Sequence, residues 1–80
     1  MPYTTDVVEE LKILSLFNLD TGQEGIKVHS TAAPEAISAA QRLHTKGLIS
    51  QSDGGYLTSL GRTASEHAQD LLRILDADTA

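Results

Sequence analysis

The chain has no cysteine and no tryptophan, and only one phenylalanine and two tyrosines among its 80 residues. Without thiols it can form no disulfide, no zinc–thiolate centre and no cysteine nucleophile, which fits a reducing compartment. No apolar run approaches the roughly 20 residues that cross a bilayer. The start, Met1-Pro2-Tyr3-Thr4-Thr5-Asp6, lacks the basic and then apolar segments of a secretory leader. No membrane association and a cytoplasmic location are therefore expected. Catalytic signatures are missing as well. Asp53-Gly54-Gly55 reads as a hairpin turn, Gly22 and Gly25 lack the residues that complete a phosphate loop, and no nucleophile elbow or paired carboxylates stand out. His29, His44 and His67 are too widely spaced for a recognised metal motif. No enzyme activity, cofactor or metal is expected.

Positive charge is also scarce: six Lys and Arg stand against eleven Asp and Glu, a net charge of −5. Non-specific phosphate binding needs clustered cations, which this balance opposes. The acids gather at the ends, with Asp6, Glu9 and Glu10 at one and Asp76 and Asp78 at the other. From Thr21 to Leu75, five acids meet five bases. A chain of this length makes one domain, spanning residues 1–80, and buries only about 60–65% of its unfolded surface, so self-association would add useful stability.

The apolar spacing predicts a helix over about 6–18, with Asp6 and Glu9 resembling a capping pair. Val7, Leu11 and Leu14 form one stripe, Ile13, Leu16 and Phe17 point to the other side, and Val8 lies on a flank. Little more than Glu9, Lys12 and Ser15 remains for water. A helix that is apolar over so much of its circumference is buried on two sides. Ile13, Leu16 and Phe17 are therefore candidates for a homodimer interface, unless the C-terminal helix covers that second side.

After a loop through Gly25, Ile26-Lys-Val-His29 alternates like a half-buried strand, too short to stand without a partner strand. A second helix is expected over about 31–46. Ser30 or Thr31 would cap it, Pro34 is tolerated in its first turn, and Gly47 is the left-handed residue that ends it. Its buried stripe is Ala36, Ile37, Ala40 and Leu43; Ser38, Gln41, Arg42 and Thr45 lie opposite, with Lys46 and Glu35 at the edge.

A hairpin over about 48–58 follows. A three-residue loop, Ser52-Asp53-Gly54, pairs Ile49 with Leu57 and buries both, and it requires a positive φ at Gly54. Thr58 caps a last helix over about 59–75. Its apolar face is Leu60, Ala64, His67, Ala68, Leu71 and Leu75, widened by Leu72 and Ile74. His67 is expected to be partly buried, while Arg62, Glu66, Gln69, Asp70 and Arg73 lie outside.

The fold class is α+β and mostly helical, in the order α-β-α-β-β-α. With Leu43-x-x-Lys46-Gly47-Leu48-Ile49 and Gly55-Tyr56-Leu57-Thr58-x-x-Gly61-Arg62, this order resembles winged helix-turn-helix regulators of the MarR and PadR kind. The whole chain is also similar to a small family of uncharacterised bacterial proteins labelled as DNA-binding. The resemblance implies a winged-helix-like domain whose 31–46 helix enters a DNA major groove. Ser38, Gln41, Arg42, Thr45 and Lys46 would be its contacts, with Lys27 nearby. The chain departs from the pattern in two places: its helix-turn-helix is truncated to a single helix, and its wing offers Gln51, Ser52 and Asp53 where DNA-touching wings carry Arg or Lys. Two functions stand open. One is a transcription-associated protein that binds duplex DNA as a homodimer. The other is a protein–protein interaction module that keeps the winged scaffold without binding DNA.

Overall fold

The computed structural model describes residues 2–21 and 24–77. Its elements are α1 (Thr5–Leu14), β1 (Ile26–Lys27), α2 (Pro34–Thr45), β2 (Ile49–Gln51), β3 (Gly54–Leu57) and α3 (Ser59–Ala77). The three strands form one antiparallel sheet in the order β1-β3-β2, so the short first strand finds its partner in the returning arm of the hairpin.

The core is built where α1, α2 and β2 meet. Ile13 and Leu14 with Phe17 just beyond α1, then Ala39, Ala40 and Leu43 of α2, then Ile49 of β2, form one buried cluster. Each large aliphatic member contributes about 1.5–3 kcal/mol by leaving water. Ala39 and Ala40, with no exposed surface, bring the α2 backbone close to α1. Ala36 and Ile37, expected in the stripe, are only half-buried.

Several boundaries shift for local reasons. Thr4, rather than Asp6, caps α1: its Oγ1 accepts from the Val7 amide at 3.2 Å. The helix ends at Leu14, four residues before Asn18, and α3 supplies donors to its last carbonyl and to that of Phe17 beyond it. Ser65 Oγ donates to the Leu14 carbonyl, and Gln69 Nε2 donates to Leu14 O at 3.2 Å and Phe17 O at 2.8 Å. The start of α2 moves from residue 31 to Pro34. A residue preceding proline avoids the helical region, and Ala33 is extended (φ −56°, ψ 140°) with no side-chain cap. β1 is two residues instead of four, although the Val28 amide still donates to Asp53 O at 2.7 Å.

The end of α2 follows the sequence closely. Gly47 has φ +82°, the Leu48 amide donates back to Leu43 O at 2.9 Å, and the Gly47 amide to His44 O at 3.0 Å. These two bonds close the helix in the manner of a Schellman turn. In the hairpin Ile49 pairs with Leu57 as expected, and Gly54 has positive φ (+127°). The loop itself is shorter than expected. Gln51 pairs with Gly54, leaving Ser52 and Asp53 at the tip and an irregularity between Ile49 and Gln51. Gly55 takes the left-handed conformation (φ +74°).

Thr58 caps α3, accepting from the Gly61 amide at 3.1 Å while its hydroxyl donates to Gly47 O at 2.6 Å. The face that α3 buries is rotated from the one expected. Gly61, Ser65 and Ala68 are buried; Leu60, His67, Leu71 and Leu75 are exposed. Gln69, expected in water, turns inward to α1, and Arg62 reaches the Leu19 carbonyl. Polar bonds to the end of α1 hold this helix, more than its largest apolar side chains do.

Gly61 is the closest approach. A Cβ there would overlap the Leu48 carbonyl. Gly→Ala inside a helix ordinarily stabilises by about 1 kcal/mol. Gly61→Ala is expected to do the opposite and lower stability by roughly 1–3 kcal/mol, read as a lower midpoint in urea unfolding. An unchanged or raised midpoint would show that α3 does not touch Leu48 this closely.

Candidate functional site

Five of the residues expected to face DNA are gathered by α2: Ser38, Gln41, Arg42, Thr45 and Lys46 line one shallow depression. Their one-turn spacing along the helix places them on a common face. Lys27 stands apart, beside a second concavity shared with Gln41, His29 and Asp53. The polar side chains Ser38, Gln41 and Thr45 are exposed, and the Thr45 hydroxyl donates to the Gln41 carbonyl at 3.0 Å.

The cations of that face are already engaged. Glu10 of α1, only 7% exposed, lies between Arg42 and Lys46. Arg42 Nε donates to Glu10 Oε2 at 2.9 Å, and Lys46 Nζ donates to Glu10 Oε1. Arg42 Nη2 also donates to the Asp6 carbonyl at 3.1 Å and lies 3.8 Å from the Asp6 carboxylate. Lys27 is 3.4 Å from Asp53. Each of the three cations proposed for phosphate therefore faces an acid of the same chain.

Burial alone would raise the Glu10 pKa. The hydrogen bonds and charges of Lys46 and Arg42 together outweigh it, and hold the carboxyl below its ordinary value of 4.5. Glu10 is the residue that sequence reasoning missed. Its signal was present in the spacing: Glu10, Ile13, Leu14 and Phe17 are related as i, i+3, i+4 and i+7, the register of the buried stripe.

A different surface is left open. Of the three residues expected at a dimer interface, Ile13 and Phe17 are buried in the chain's own core, and only Leu16 is exposed, at 63%. Leu16 instead forms part of a largely apolar groove of about 520 Å³ between α1 and α3, lined also by Val8, Leu11, Ala68, Leu71 and Leu72, with Lys12 and Ser15 as its polar members. Beyond the groove, Leu60, Ile74 and Leu75 of α3 are 59–68% exposed. Helix α3 thus covers part of the second apolar side of α1 and adds an uncovered apolar face of its own.

Among the described residues, no helix is long and apolar enough to cross a membrane. Three helices on a three-stranded antiparallel sheet, with a masked cationic face and an open apolar groove, define a small α+β domain. The chain belongs to DUF5669, a family of unknown function, which matches residues 1–76. No curated protein and no solved structure matches it.

The Glu10 geometry makes a pH prediction. A carboxyl whose folded pKa is depressed adds stability that is fully present above its unfolded value, near 4.5, and is lost as pH falls through the folded value. Glu10→Gln is expected to cost about 1–2 kcal/mol at pH 7 and to flatten the loss of stability below pH 4.5. Urea titrations of both proteins across this range measure it. Parallel pH profiles would mean that Glu10 carries no such coupling.

Proposed function

We propose that the chain is a protein–protein interaction module on a winged-helix-like scaffold, working in the cytoplasm through the apolar face of α1 and α3. The observation that carries this reading is the groove. Six large aliphatic side chains on and beside it, Leu16, Leu60, Leu71, Leu72, Ile74 and Leu75, are 46–68% exposed. A monomer rarely leaves a contiguous apolar patch of several hundred Å² to water without using it.

The resemblance to winged-helix regulators offers duplex DNA as the other partner, read by Ser38, Gln41, Arg42, Thr45 and Lys46. For that role Arg42 and Lys46 would have to divide their charge between phosphate and Glu10, a largely buried carboxylate that both of them neutralise. Stranding a buried charge costs several kcal/mol. The remaining surface supplies little to offset it, because Lys27 sits beside Asp53 and the chain carries a net charge of −5. Interaction with protein therefore fits the geometry better than interaction with phosphate.

Two measurements test the choice. In fluorescence anisotropy with duplex DNA, the wild-type protein is expected to show no salt-dependent binding even at low salt. In pull-downs, bound protein is expected to survive nuclease treatment and to disappear in Leu72→Asp. Salt-dependent DNA binding that Arg42→Ala with Lys46→Ala abolishes would overturn this reading in favour of DNA.

A further inference from the structure

We propose that α3 is built as two units that open separately, divided at Gln69. Residues 59–69 belong to the cooperative core, and residues 70–77 form an arm that unwinds without it. The first observation is burial. Gly61, Ser65 and Ala68 are buried, and Arg62, Ala64 and Gln69 are half-buried, the one-turn rhythm of a helix lying on a body. The rhythm stops at Asp70. From there to Asp76 seven consecutive residues are exposed. That is about two turns of helix, so every side of the arm meets water. Leu71 and Leu72 reach the rim of the α1 groove, yet keep 52% and 46% of their surface exposed.

The second observation is where the anchors stop. Thr58 caps the helix, Arg62 donates to Leu19 O, Ser65 to Leu14 O, and Gln69 to both Leu14 O and Phe17 O. These bonds tie successive turns of α3 to the chain before it, up to Gln69. Beyond Gln69 the arm has an ion pair of its own, Arg73 with Asp70 at 3.0 Å. Both of its side chains are exposed and both belong to the arm, so it adds little and fastens nothing to the body.

A short exposed run of helix has little stability of its own. The anchored turns supply the nucleus, and each further residue then adds a propagation step close to balance. Two residues tip that balance toward opening. Ile74 is β-branched and loses side-chain freedom in a helix. Asp76 places a carboxylate in the last described turn, which holds no basic residue, where the helix dipole is negative. Four of the arm's eight residues are nevertheless large aliphatics, Leu71, Leu72, Ile74 and Leu75. Elements that engage partners are drawn from the least stable parts of a fold. On the interaction reading, on which this consequence alone rests, a partner closes the arm as it covers these side chains, so that docking and ordering are one event.

Hydrogen exchange read by NMR on the free wild-type chain tests the division. The amides of residues 74–77 are expected to exchange within roughly 10-fold of an unstructured chain, and those of residues 66–69 at least roughly 100-fold more slowly. Ile74→Pro removes a helix amide and clashes with the Asp70 carbonyl, which opens the arm. It should leave the exchange of residues 66–69 and the urea midpoint as in the wild type. Gln69→Ala, which cuts the last anchor, should lower the midpoint. Uniform protection along the whole of α3 overturns the proposal. So does a fall in midpoint for Ile74→Pro as large as that for Gln69→Ala, because the arm would then unfold with the core. Neither readout involves a partner, so pull-downs that capture nothing would remove the interaction reading and leave the division of α3 standing.

Discussion

The carboxylate of Glu10 is the contact on which the arrangement of the rest depends. It is nearly buried, so it has to be paired, and among the described residues its cationic partners are Arg42 of α2 and Lys46, which follows directly on that helix. Pairing ties the middle of α1 to the end of α2, across the same interface that buries Ile13, Leu14, Ala39 and Leu43. It also commits the partly exposed Arg42 guanidinium and the exposed Lys46 ammonium to a carboxylate of the same chain. One interaction thus joins the packing of α1 on α2 to the charge balance of the α2 face.

The opposite side of α1 has a different problem, one of supply. A domain of this size has few elements with which to cover an apolar helix on two sides. α3 covers part of the gap, but it is held through small and polar residues, Gly61, Ser65 and Gln69, with Ala68 alongside. Its large residues are left over. Ser65 and Gln69 satisfy the carbonyls at the end of α1, where helix termini leave acceptors without intrahelical donors. That polar clasp sets the rotation of α3 about its axis and directs Leu60, Leu71, Ile74 and Leu75 into solvent. A partner that covers this face would bury what the fold of a single copy leaves out.

Element order, the end of α2 at Gly47, the Ile49–Leu57 register and the Thr58 cap were legible in the sequence, because each depends on local backbone chemistry. A left-handed glycine, a turn that must pair two apolar residues and a capping hydroxyl act within a few positions of themselves. The start of α2 is less legible, because Ser30 and Thr31 both offer capping hydroxyls while Pro34 holds Ala33 extended. The face of α3 was not legible. An apolar stripe and a polar face both exist on that helix, and only the position of the Leu14 and Phe17 carbonyls, more than fifty residues upstream, decides which turns inward. The candidate site was half legible. The residues of α2 do share a face, but their charge is cancelled by a residue thirty-two positions before Arg42. Charge counting placed the acids at the chain ends without locating where they fold back.

Commitment of the α2 cations to Glu10 is the central claim, and the side-chain Nε–H of Arg42 reports it directly. In a nitrogen-resolved NMR spectrum at neutral pH, that proton should appear as a slowly exchanging signal, shifted by its bond to Glu10 and lost in Glu10→Gln. Adding duplex DNA at low salt should leave it in place. A signal that exchanges freely with water in the wild-type protein, or one that moves when DNA is added, would contradict the account and return the α2 face to the nucleic acid.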